Sequence, residues 1–250
     1  MAANRLLIGL ILLLGLALLL SLALNLLLAR RGRGYERLFN MTRLDPLGAM
    51  VYDANAELPD DARRVVFFGD SRARQWPAPP LPPGVAVINR GIDGHTAVQS
   101  RLRFEAQVRP LRPDVVLVQV GVNDLIGVGY LPAERDAIVA NCRDSIAAIV
   151  DAARAAGATV VLTTIFPPGR PLAWERALGF AEVEAAIREV NGWMAGLADG
   201  QVVVVDTAVV LGDAEGRVRD AFRDDTWHLN PDGYAALNGA LGPLLAELLP

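Results

Sequence analysis

Hydrophobic and polar positions divide this chain into three stretches. Residues 6–29 contain no charge, and at about 1.5 Å per residue a helix of that length exceeds the roughly 30 Å hydrocarbon core of a bilayer. Residues 30–60 mix arginine, proline, glycine and scattered apolar side chains without a strong period, which reads as a juxtamembrane connector ahead of a domain over residues 61–250. In that domain, nearly continuous apolar runs at 65–68, 85–89, 114–120, 159–165 and 202–206 alternate with helical patterns near 97–109, 132–156, 179–198 and 231–248. Strands apolar on both faces belong in a parallel sheet covered on both sides. The alternation predicts an α/β fold, three-layer α/β/α with a five-stranded parallel sheet, and right-handed crossovers restrict it to a doubly wound topology.

The first stretch is longer than the roughly 7–15-residue apolar core of a signal peptide, and its leucines continue past the small-x-small triplet Ser21-Leu22-Ala23. A single-pass transmembrane helix over 6–29 is therefore expected rather than a cleaved leader. Arg30, Arg31, Arg33 and Arg37 follow it, whereas Arg5 and the terminal amine precede it, so charge bias alone places the following domain in the cytoplasm. Met41, Leu44, Leu47 and Met50 could form a short amphipathic surface, expected to pack on the domain rather than on lipid.

Composition removes several chemistries. Every basic side chain is arginine, which excludes a Ser–Lys dyad, a lysine Schiff base and a Walker A lysine. The net charge of -4 gives no support to a nucleic-acid partner. The single cysteine, Cys142, cannot form an intrachain disulfide and is expected as a packed small side chain. Two histidines and one cysteine argue against a structural zinc site, and neither metal nor cofactor is expected.

Four short blocks remain, in fixed order: Gly69-Asp70-Ser71, the glycine turn over 89–96, Gly121-Val122-Asn123-Asp124, and Asp225-Thr226-Trp227-His228. The first three close the first three predicted strands, where open α/β sheets bind ligands. The fourth precedes the last helix, whose start is marked by Asn230-Pro231-Asp232. Singly these blocks are weak signals; as an ordered set they resemble the SGNH/GDSL hydrolase family, over most of the chain beyond its first sixty residues. The resemblance implies flavodoxin-like strand order and an esterase- or lipase-like serine hydrolase. It implies Ser71 as nucleophile, His228 as general base and Asp225 as the acid that orients it. It implies an oxyanion hole from the backbone N–H groups of Ser71 and Gly94 and the side-chain amide of Asn123. It also implies an extracytoplasmic domain, against the charge bias.

The residues themselves suit that chemistry. A serine hydroxyl is a poor nucleophile until a base takes its proton, and the base must be held in one tautomer by a third group. Three-residue spacing on a turn lets Asp225 reach back to His228 Nδ1 while Nε2 faces the serine, and the same spacing in the pattern of the family it resembles favours Asp225 over Asp224. Matching residues 89–94 to the family's second block favours Gly94 over Gly91. Each assignment has a plainer rival: Ser71 as a helix cap, Asn123 and Asp124 as turn residues. Asp70 and Asp124 are expected to bond backbone groups around the oxyanion loops. His95 lacks a recognisable orienting acid and is expected to line the cleft or face solvent. Arg72 is expected as an exposed salt-bridging side chain, the proline-rich stretch 76–83 as a surface linker, and 166–180, with an exposed Trp174, as a wall of the cleft.

The leading expectation is a membrane-anchored serine esterase that hydrolyses a carboxylic ester through an acyl-serine intermediate. Its partners would be a small-molecule, lipid or glycan ester and, through the helix, a membrane. An acyltransferase or deacetylase of cell-envelope polysaccharide shares the acyl-enzyme and differs in its acceptor. A non-catalytic membrane-tethered scaffold would predict a missing block residue, and none is missing.

Overall fold

The computed structural model describes residues 2–52 and 62–249, in two compact units, Met1–Pro46 and Leu47–Pro250. The first is one helix, α1 (Ala2–Leu44), with its leucines exposed along the apolar run. Its most apolar 18-residue stretch has a mean hydropathy of 2.9, and the helix is long and apolar enough to cross a membrane, as a signal sequence also is. Residues 30–44, expected as irregular connector, are helical. No proline interrupts them before Pro46, and Gly32 and Gly34 lower helix propensity without breaking it. Residues 47–52 already belong to the second unit, and residues 53–60 of the expected connector, with residue 61 of the expected domain, lie outside the described residues.

The second unit is built on β1 (Arg63–Gly69), β2 (Val85–Gly91), β3 (Val115–Gln119), β4 (Thr159–Thr163) and β5 (Val202–Val205). All pairs are parallel, in the order β2-β1-β3-β4-β5. This is the expected sheet, and the order is the flavodoxin-like one. The connections carry α2 (Ser71–Arg74), α3 (Ala97–Gln107), α4 (Val122–Tyr130), α5 (Arg135–Ala155), α6 (Ala173–Ala177), α7 (Phe180–Met194) and α8 (Thr207–Leu211), and α9 (Pro231–Glu247) closes the chain.

Side chains alternate across each strand, so each run feeds two cores. Val66, Phe68, Val116, Val118, Val160 and Leu162 pack under α3, α4, α5 and α7. Val65, Phe67, Val115, Leu117 and Val161 pack with Trp76, Phe166 and the Tyr234, Leu237, Leu241 and Leu245 stripe of α9. Cys142 is fully buried in the first core, and burial pushes its thiol up. The pattern did not reveal α4: Gly127 and Gly129 weaken its propensity, and burial of Val122, Leu125 and Val128 holds it instead. Register brings the ends of three strands level, with Gly69 opposite both Gly91 and Gln119. The loops that follow therefore open at one edge.

Candidate active site

Gly69 ends β1 with φ +150, and a Cβ there would fall 1.7 Å from the carbonyl oxygen of Gln119 on β3. Only glycine fits. Asp70 then caps α2, its Oδ1 accepting the Arg72 N–H at 2.8 Å, and sets Ser71 at the first helical position, where a backbone N–H has no partner within the helix.

The fourth block meets Ser71 across the edge. Ser71 Oγ lies 3.0 Å from His228 Nε2. His228 Nδ1 lies 2.9 Å from Asp225 Oδ2 and 3.1 Å from Oδ1. Asp225 Oδ1 also accepts the backbone N–H groups of Trp227 at 2.7 Å and His228 at 2.8 Å. Burial alone would raise the Asp225 carboxyl, but these hydrogen bonds together bring it below its ordinary value. Asp224 instead meets His228 through its backbone N–H, 3.0 Å from the His228 carbonyl. The loop is braced from behind, where Thr226 Oγ1 donates to Glu175 Oε2 at 2.8 Å and the Gly169 N–H donates to the Thr226 carbonyl at 2.8 Å.

Gly94 lies in the turn after β2 with φ +73. Asn123 stands on the first turn of α4, and its Nδ2 donates to the His95 carbonyl at 3.0 Å, leaving the amide a second hydrogen to offer. Asp124 Oδ2 accepts the Ala97 N–H at 2.7 Å, so α4 also holds the start of α3. Burial raises the Asp124 carboxyl to about 7, against the pull of that N–H. Burial likewise raises Asp70 to about 6, opposed by Arg72. Both acids bond backbone around the loops, as expected. His95 is buried rather than solvent-facing.

Arg72 corrects the expectation of an exposed ion-pairing side chain. It is fully buried, Nε donating to the Trp227 carbonyl at 2.8 Å and Nη1 to the Phe166 carbonyl at 3.3 Å, with the guanidinium 5.1 Å from the Phe166 ring centre. Arg103, also buried, donates to the carbonyls of Gly69 at 2.7 Å and Arg90 at 2.8 Å. Nothing local marks either arginine as interior. The linker expectation fails at Trp76, which is buried edge-on to Phe67 and Phe166 and donates to Asn238 Oδ1 at 2.8 Å. Trp174 is exposed as expected and, with Tyr130, Leu178 and Trp227, lines a recess of about 30 Å³. A cavity of about 470 Å³ lined by Arg170, Arg176, Phe180 and Arg217 lies beside the 225–228 loop, through Phe180 against Trp227, rather than at Ser71.

The sequence model of the GDSL-like lipase/acylhydrolase family matches residues 58–236, which contain all four blocks. Among curated proteins none matches the chain significantly. Similar solved structures include a GDSL-like lipase from Bacteroides thetaiotaomicron VPI-5482, 22% identical, with a TM-score of 0.64 over 81% of this chain and 97% of that one. The acetyl xylan esterase AlAXEase is 21% identical, with a TM-score of 0.59 over 73% of this chain and 99% of that one. Axe2, an acetylxylan esterase from Geobacillus stearothermophilus, is 18% identical, with a TM-score of 0.52 over 76% and 97%. At these identities the likeness shows the three-layer fold.

Proposed function

Because the chain belongs to the GDSL-like lipase/acylhydrolase family and is an ester-hydrolysing serine hydrolase, we propose that Ser71, His228 and Asp225 perform the reaction through an acyl-serine intermediate. The unbroken line of contacts from Ser71 Oγ to His228 Nε2 at 3.0 Å, and from His228 Nδ1 to Asp225 Oδ2 at 2.9 Å, carries this reading. Ser71 Oγ attacks the ester carbonyl as His228 takes its proton, and Asp225 holds the imidazolium that forms. The oxyanion is received by the N–H groups of Ser71 and Gly94 and by the Asn123 amide, each donor worth about 2.7–4 kcal/mol by precedent. His228 then protonates the departing alkoxide. Water, deprotonated by the same imidazole, attacks the acyl-serine; the tetrahedral intermediate collapses, the acid leaves and His228 returns the proton to Ser71.

In this reading α1 anchors the enzyme in a membrane, and the catalytic unit faces away from the cytoplasm in spite of the arginines after the apolar run. Two of the similar structures are acetyl xylan esterases. That favours a short acyl group on a sugar hydroxyl as a second substrate class, reached by the same acyl-enzyme.

The test is turnover of p-nitrophenyl acetate by the full chain in detergent. Ser71→Ala should lower kcat at least about 10⁴-fold with the fold retained. Unchanged turnover in the variant contradicts the assignment.

A further inference from the structure

Residues 47–52 precede the span that the family model matches, yet they belong to the same compact unit as the site. They are fastened at three points. Gln107 Nε2 donates to the carbonyls of Leu47 at 3.2 Å and Gly48 at 2.9 Å. The Tyr52 hydroxyl donates to the Gly91 carbonyl, and its ring lies 4.7 Å from the Arg90 guanidinium. Gly48 is buried with φ +66, and a Cβ there would fall 2.3 Å from Ile92 Cδ1 and 3.5 Å from His95 Cε1.

Two of these contacts fall on one turn, residues 91–95. That turn carries the Gly94 N–H, and its last residue offers the carbonyl that orients Asn123. The third contact leads to the nucleophile from the other side. Gln107 Oε1 accepts Arg103 Nη1 at 2.8 Å, and Arg103 Nη2 reaches the Gly69 carbonyl, two residues before Ser71.

We propose that residues 47–52 form a strap that sets the oxyanion turn, with Tyr52 and Gly48 as positioning residues acting through Gly94 and Asn123. This rests on the reading of those two groups as oxyanion donors. A donor displaced by a fraction of an ångström still leaves the ground-state ester bound, because the oxyanion forms only on the way to the tetrahedral intermediate. Loosening the strap therefore lowers kcat and leaves KM in place. A strap that only covers apolar surface would change stability and nothing else.

The experiment uses the full chain in detergent with p-nitrophenyl acetate. Tyr52→Phe deletes the hydroxyl and keeps the ring over Arg90, so it should fold; kcat should fall about 3- to 10-fold with KM within twofold. Gly48→Ala, strained by its positive φ, should act in the same direction. The Tyr52→Phe effect should shrink when Asn123 is already alanine, since the two act on one interaction. An unchanged kcat in Tyr52→Phe, or an equal loss with and without Asn123, overturns the strap. If the wild-type chain neither hydrolyses the ester nor labels at Ser71 with a fluorophosphonate, the underlying serine-esterase reading has failed. Normal wild-type turnover and labelling beside a silent Tyr52→Phe removes the strap alone.

Discussion

Arg72 Nε donates to the carbonyl of Trp227 at 2.8 Å, tying the residue after Ser71 to the residue before His228. The same guanidinium reaches the Phe166 carbonyl, so one buried side chain spans three of the loops at the strand edge. Its own backbone carbonyl accepts the Tyr234 hydroxyl of α9 at 3.0 Å. The separation of Ser71 from His228 is thus fixed from behind.

Replacing Arg72 with methionine keeps much of the volume and leaves two interior carbonyls without donors, each costing about 1–3 kcal/mol. Arg72→Met should lower stability by about 2–6 kcal/mol, or roughly 5–20 °C in Tm, and should reduce kcat as Ser71 and His228, the proposed nucleophile and base, drift apart. Arg72→Lys should not rescue it, because an ammonium lacks the planar fork that serves both carbonyls. Thermal melting in detergent and ester turnover check this; a variant that melts and turns over like the wild type contradicts it.

Asn123 makes a different demand. Its amide is oriented by the His95 carbonyl at 3.0 Å, and as a proposed oxyanion donor it would meet charge that exists only along the reaction. Asn123→Ala should therefore lower kcat about 10²- to 10³-fold with KM nearly unchanged and Tm within a few degrees. Michaelis–Menten kinetics on p-nitrophenyl acetate decide it. A loss confined to KM would make Asn123 a substrate-binding group instead.

How far the sequence carried each of these features depends on how local its cause is. The five strands announced themselves because strands covered on both faces must be apolar at nearly every position, as Val65, Val66, Phe67 and Phe68 are. The positions of Ser71 and Asn123 were legible as short ordered motifs beside strand ends, and those of Asp225 and His228 as a motif ahead of the last helix. Arg72 was not, because its partners lie 155 and 94 residues away, and an arginine after a serine looks like any surface residue until Trp227 and Phe166 are folded against it. Tyr52 was hidden for the same reason: its acceptor, Gly91, is 39 residues off, in a stretch whose mixed composition reads as linker. Helix α4 was missed because its stability comes from Val122, Leu125 and Val128 meeting the core, not from its glycine-containing sequence.

Asp124 yields a prediction whose sign runs opposite to that of a salt-bridged carboxylate. Burial raises its carboxyl from 3.8 to about 7, with the Ala97 N–H opposing the rise. An acid raised in the folded state holds its proton more tightly there than in the unfolded chain. Its contribution to stability is therefore complete below about pH 4 and is lost as the pH climbs through about 7. Asp70, raised to about 6, adds a slope of the same sign. Asp124→Asn keeps an oxygen to accept the Ala97 N–H and removes the titration. Relative to the wild type, the variant should gain stability from about pH 4 to about pH 7 and level off above it, by at most a few kcal/mol at about 1.36 kcal/mol per pKa unit. Part of the wild-type slope should survive in it through Asp70. Urea denaturation of both proteins across that range measures the difference, and a gap between them that does not change with pH would show that Asp124 carries no such proton.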